Sequence, residues 1–212
     1  MTANRAYRGV SADERRAVRR TALIEAALDC LHDGGTAAVG VRAVCARAKL
    51  TPRYFYESFA DLDELLVAAM DAASDQVART TLGAVAAAGP DPEAQVRAAV
   101  ATGFGVVADD PRAASAFLAA AAGQGPMRDR RHAIVERYAD LVLANIDVLS
   151  SRGVRERTRG RGTALFLMGG TLDVIEAVLS GRVTMSRGQV VELLSSLWLG
   201  ALGVPDAEPA GR

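Results

Sequence analysis

Thr51-Pro52-Arg53-Tyr54-Phe55-Tyr56-Glu57-Ser58-Phe59 is the stretch on which the reading of this chain turns. Threonine is a good helix N-cap. Proline at the next position gives up an N–H that the first helical turn leaves unpaired in any case. The segment therefore predicts a short helix opening at Pro52. Phe55 and Phe59 lie four residues apart and share one face, the natural inside. Arg53, Tyr54 and Tyr56 fall on the other faces. Aromatic residues at this spacing can be half-buried core with wet tips. An arginine and two phenols beside a helix N-terminus are also what phosphate oxygens and base edges require.

The preceding residues favour the second use. Val41-Arg42-Ala43-Val44-Cys45-Ala46-Arg47-Ala48 puts Val41, Val44, Cys45 and Ala48 on one stripe of a second short helix. Only Lys49 and Leu50 separate the two. Short helices joined this tightly form a helix-turn-helix, whose second helix enters the major groove of DNA. The candidate DNA contacts are Arg42, Lys49, Thr51, Pro52, Arg53, Tyr54 and Tyr56. Arg53 is the best placed to read a base, Arg42 to meet a base or a phosphate, and the tyrosines to serve phosphate.

From Ile24 to Leu66 the chain resembles the DNA-binding domain of the TetR family of transcriptional regulators. Ile24-x-x-Ala27-x-x-Leu31, Gly34-Gly35 and Val44-Cys45-x-x-Ala48-x-Leu50-Thr51 carry the resemblance, followed by Tyr54-Phe55-Tyr56-x-x-Phe59 and Glu64-Leu65-Leu66. Several spaced elements together are far more specific than one short motif. The chain departs from the pattern at three positions. Lys49 stands at the turn where the family usually has glycine, and a left-handed backbone there costs a non-glycine residue about 1 kcal/mol. Leu62 stands where a lysine usually opens the fourth helix, and Gly40 replaces a Thr or Ser N-cap.

The resemblance implies an all-α fold of about nine helices, with a three-helix DNA-binding head and a helical body. It further implies that the last two helices pair with their copies in a four-helix bundle. A small effector inside the body would then move the fourth helix.

Net formal charge is zero, but its distribution is uneven. Residues 1–60 carry ten Lys and Arg against six Asp and Glu, and the remainder carries fifteen against nineteen. A basic head on an acidic body is expected if only the head touches phosphate. Cys30 and Cys45 both sit on apolar helix faces and read as small buried hydrophobes. His32 and His132 lack clustered ligands, so no metal or other cofactor is expected. No uninterrupted apolar run reaches about 18 residues, and the polar N-terminus does not read as a leader. The expectation is a soluble, cytoplasmic protein without a membrane partner.

In chain order, residues 1–12 read as a flexible arm, with Arg5 and Arg8 able to reach a minor groove or simply solvated. Residues 13–60 form the DNA-binding head. Ile24, Ala27, Leu28 and Leu31 are its expected first stripe, and Gly34-Gly35 ends that helix. Arg15, Arg16, Arg19 and Arg20 lie near phosphate or form a solvated face. A bridging helix spans 61–82, with Asp61 and Glu64 as a capping box.

Residues 83–204 form the effector-binding and dimerisation domain, and 205–212 a flexible tail. Within the body, helices are expected at about 92–108, 111–122 and 127–151. A glycine- and arginine-rich connection follows at 152–162, then two closing helices.

Residues 163–180 and 190–202 are apolar almost all round, so each must be covered on more than one side. A homodimer is the economical answer, with Gly169, Gly170, Val191, Leu194 and Trp198 at the interface. An intramolecular helix pair is the alternative. Phe104, Phe117, Tyr138, Phe166 and Met168 are candidate effector linings, although each can equally be plain core.

The leading function is a transcriptional repressor, released from a palindromic operator by a small, apolar effector. Lys49 and Leu62 favour a second reading, a helical ligand-binding or regulatory module with weak or lost DNA binding. No triad, carboxylate pair or phosphate-cradling loop marks an enzyme.

Overall fold

The computed structural model describes residues 11–145 and 154–202. Among these every regular element is helical. The α-helices are α1 (Ala12–Gly34), α2 (Val41–Arg47), α3 (Pro52–Tyr56), α4 (Leu62–Ala87), α5 (Pro92–Asp109), α6 (Pro111–Ala122), α7 (Pro126–Asn145), α8 (Val154–Leu179) and α9 (Arg187–Leu202). A short 3-10 turn, Thr36–Ala38, links α1 to α2. The expected arm with Arg5 and Arg8, residues 146–153 and the tail 205–212 lie outside the described residues, except that Ser11 and Ala12 open α1.

Local chemistry sets the helix ends. Ser11 and Glu14 form a capping box, with the Glu14 N–H donating to Ser11 Oγ at 3.0 Å and the Ser11 N–H to Glu14 Oε2 at 2.6 Å. Gly35 stops α1 at φ 64°, and its N–H returns to the Leu31 carbonyl. Pro92 and Pro111 open α5 and α6, behind the capping carboxylates of Asp91 and Asp110.

The chain divides into two compact units, residues 1–69 and 70–212, with the division falling inside α4. In the N-terminal unit α1 packs on α2 and α3. Leu23, Leu31, Val44, Phe55, Phe59 and Leu65 are fully buried. Each such side chain contributes roughly 1.5–3 kcal/mol of burial. The buried stripe of α1 is centred one residue earlier than expected, on Leu23 rather than Ile24, which is only half-buried. Cys30 and Cys45 are free thiols inside this core, and burial pushes both above the usual thiol range.

In the C-terminal unit α9 packs on α5 and α8, and α7 packs on α8. Its core holds Val100, Phe104, Leu167, Ile175, Leu194 and Trp198. The expected arginine-rich connection at 152–162 is helical from Val154, because α8 begins there. Arg161 pairs with Asp140 of α7, a partner 21 residues away that no local reading supplies.

Gly160–Leu179 of α8 is long and apolar enough, by length and composition, to cross a membrane, with a mean hydropathy of 1.5. Its three charges, however, are all paired within the unit, Arg161 with Asp140, Asp173 with Arg131 and Glu176 with Arg182. Two of those pairs join α8 to α7, as in a helix packed within a helical body.

Candidate functional site

The helix-turn-helix is built on one unusual backbone position. Lys49 adopts φ 56°, the left-handed region. That turn lets the Leu50 N–H return to the Cys45 carbonyl at 2.9 Å and the Lys49 N–H to Ala46 at 3.2 Å, closing α2. A glycine would take this conformation freely, and lysine carries about 1 kcal/mol of strain there. Thr51 has the extended N-cap backbone, φ −89° and ψ 156°, but its hydroxyl makes no capping bond. Pro52 then opens α3.

Burying Phe55 and Phe59 decides what the other faces of α3 present. Arg42, Lys49, Thr51, Pro52, Arg53 and Tyr56 are all exposed. The Arg53 side chain is 84% exposed and Tyr56 62%, so neither belongs to the core. Tyr54 differs, being half-buried with the Arg19 guanidinium 4.5 Å from its ring centroid. Tyr56 is steadied by the Phe55 ring, edge-on at 5.2 Å between centroids.

Glu57 is a polar hub that the sequence reading passed over. Its carboxylate takes Arg53 Nε at 3.0 Å and lies 3.6 Å from Arg19, while its carbonyl accepts from Arg16 at 2.5 Å. Arg20 covers the Phe59 ring at 4.5 Å. Arginines of α1 thus brace α3. The Arg53–Glu57 pair, four apart on an exposed helix face, is worth only about 0.3–0.5 kcal/mol. Arg53 can exchange it for a base or a phosphate at little cost.

The C-terminal unit holds a partly open cavity of about 550 Å³ between α4, α5, α6, α7, α8 and α9. Phe104, Phe117, Tyr138 and Met168 of the expected effector set line it. Phe166 does not; it points outward and is 79% exposed. Leu194 and Trp198, expected at a dimer interface, also line the cavity and are buried in the protomer's own core. A helix apolar all round gives no phase from sequence, and α9 turns these two inward. Its outward apolar residues are Leu193 and Leu197, with Val191 half-buried. On α8, Gly169 is half-buried and Gly170 exposed, and among the described residues no atom beyond the chain neighbours and the local helix backbone lies within 4 Å of where either Cβ would stand.

The cavity's polar groups are few. The Tyr138 hydroxyl donates to the Ser74 carbonyl at 2.8 Å and accepts from the Ser74 hydroxyl at 2.8 Å. Arg137 donates to the same Ser74 hydroxyl at 2.6 Å and pairs with Asp75. Burial raises the Tyr138 phenol above its ordinary range, against the opposing pull of Ser74 and Arg137. Trp198 Nε1 donates to Thr171 at 3.0 Å. The buried Thr81 hydroxyl has no partner among the described residues. Arg131, on the wall, is paired with Asp173, and no carboxylate among the described residues lines the cavity. Sequence periodicity named the aromatic walls but missed Ser74 and Thr81, since single hydroxyls on a long helix carry no pattern.

Residues 23–69 match the family model for bacterial regulatory proteins of the tetR family. No curated protein matches the chain significantly. Among solved structures, a TetR-like transcriptional regulator from Rhodococcus sp. RHA1 is 24% identical, with 88% of this chain and 97% of that one covered and a TM-score of 0.58. A transcriptional regulator from Rhodococcus sp. Rha1 is 19% identical, with coverages of 90% and 99% and a TM-score of 0.67. The multidrug binding protein EbrR, solved with imidazole, is 23% identical over 84% of this chain and 94% of its own, at a TM-score of 0.64. EbrR has also been solved with malachite green. Residues 23–69 are therefore similar to the N-terminal domain of the tetR family of bacterial regulatory proteins, and the chain has the all-helical fold of TetR-like transcriptional regulators.

Proposed function

We propose that this DNA-binding regulator is a homodimeric repressor that leaves a palindromic operator when a small, largely apolar molecule fills the cavity. The observation that carries the reading is the exposure of Arg53 and Tyr56 on a helix whose opposite face is anchored by Phe55 and Phe59. Such a helix is fixed from behind and open in front, the condition for reading a groove. Arg42, Lys49, Thr51, Pro52 and the half-buried Tyr54 complete the proposed contact set. The apolar cavity supports the ligand arm, and EbrR shows small molecules held by a protein of this fold. Phe166, Leu193 and Leu197 support pairing through the outward faces of α8 and α9, because solvent rarely keeps such a set. Gly169, Gly170 and Val191 lie on the same helices and belong to that proposal. The protein would act in the cytoplasm, where its DNA is.

The test is a salt-controlled titration of the full chain with DNA upstream of its own gene and with random DNA. Specific binding that weakens steeply with salt is expected. Equal, weak affinity for both DNAs would favour the second reading instead, a ligand-binding module with lost operator affinity. The strained Lys49 and the half-buried Leu62 are what support that one.

A further inference from the structure

The cavity wall is selective in a way that its size does not convey. Among the described residues its one charged group, Arg131, is already matched by Asp173, and no carboxylate faces the interior. An organic cation entering would give up its hydration and find no counter-charge. What the wall offers instead is hydroxyls and the side-chain amides of Gln95 and Asn145, set in an apolar surround. The Ser74–Tyr138 pair is the best defined of these. Tyr138 Oη donates once and accepts once, and Ser74 Oγ donates to Tyr138 and accepts from Arg137. Each oxygen keeps a second lone pair. Both residues line the cavity, so together they make a fixed acceptor for one hydroxyl proton.

We propose, resting on the cavity being the ligand site, that the ligand is a neutral, mainly apolar alcohol or phenol whose hydroxyl donates to the Ser74–Tyr138 pair. The apolar remainder lies along Phe104, Phe117 and Trp198. The selectivity differs in kind from that shown by EbrR, which holds malachite green, a cationic dye. Tyr138 and Ser74 act here as recognition groups, through direct contact with the ligand.

The experiment titrates the full-length protein with 4-hexylphenol, hexylbenzene and malachite green. Binding is followed by the fluorescence of the sole tryptophan, Trp198, which lies on the cavity wall. The unmodified protein should prefer 4-hexylphenol to hexylbenzene by about tenfold, the value of one well-made hydrogen bond. Malachite green should bind more weakly than either. Tyr138→Phe and Ser74→Ala should each reduce the preference to about twofold, with a cooperative melting curve showing that the variant is folded. Hexylbenzene binding without a preference for the phenol overturns this inference and leaves the cavity reading intact. A preference that survives both variants, or that vanishes only in Thr81→Val, overturns the assignment to Ser74 and Tyr138. If none of the three probes binds, the cavity reading itself fails.

Discussion

Arg53 and Tyr56 are close neighbours on α3 and answer to different physics. A guanidinium can make two parallel bonds to guanine and so distinguish bases, whereas a phenol on a phosphate positions the protein without reading sequence. Arg53→Ala should therefore weaken operator binding by about 1–3 kcal/mol and flatten preference at one base pair in each half-site. Its melting temperature should hardly move, because the side chain is 84% exposed and leaves only a surface pair with Glu57. Tyr56→Phe should weaken operator and random DNA by similar factors. Fluorescence anisotropy on both DNAs at fixed salt checks the two together, and an unaltered base preference in a stable Arg53→Ala protein would remove Arg53 from base reading. At this scale the sequence showed that Tyr54 and Tyr56 stand off the Phe55–Phe59 face. It did not show that they differ. The difference comes from Arg19, which sits over Tyr54 from another helix, 35 residues away in sequence.

Among the elements, the connection between α2 and α3 is where local preference and structure conflict. Lysine at φ 56° is strained, and its ammonium stands exposed beside the proposed DNA surface. Lys49→Gly should raise the stability of the N-terminal unit by up to about 1 kcal/mol. It should also lower affinity for any DNA, because a positive charge at the proposed DNA surface is lost. Denaturant melts paired with salt-dependent titrations read both signs, and a destabilised variant would refute the strain argument. Helix ends were legible wherever a cap is local, at Gly35, Pro52, Pro92 and Pro111. The start of α8 was not. Arginines and glycines suit a solvated loop as well as a helix surface, and the pair that settles the matter, Arg161 with Asp140, reaches across to α7. The rotational phase of α9 was equally hidden, since Leu193, Leu194, Leu197 and Trp198 are all large and apolar.

For the whole molecule, that phase changes what an interface test must use. Leu194→Asp would put a carboxylate into the protomer core and destabilise it by several kcal/mol, so any loss of dimers would be secondary to unfolding. Leu197→Asp places the same charge on the outward face, 52% exposed in the protomer. It should give folded monomers with a melting temperature little changed apart from the lost partner. Sedimentation velocity with circular dichroism separates the two variants, and a Leu197→Asp protein that stays dimeric would move the interface elsewhere. The existence of two apolar closing helices could be read from sequence. Which half of each faces its own body depends on packing against α5 and α7, and no pattern along one helix records that.

The two buried thiols turn the N-terminal unit into its own stability gauge. The chain's only cysteines, Cys30 and Cys45, both lie in that unit's core. A thiol reagent such as an aromatic disulfide attacks the exposed thiolate alone, so while reclosing outpaces the reagent, colour develops in proportion to the population of the open head. The free energy of that opening can thus be clocked in the intact chain, under native conditions and without a denaturant. An operator duplex that grips the closed head should slow the colour in proportion to its occupancy, reporting binding by protection rather than by mobility.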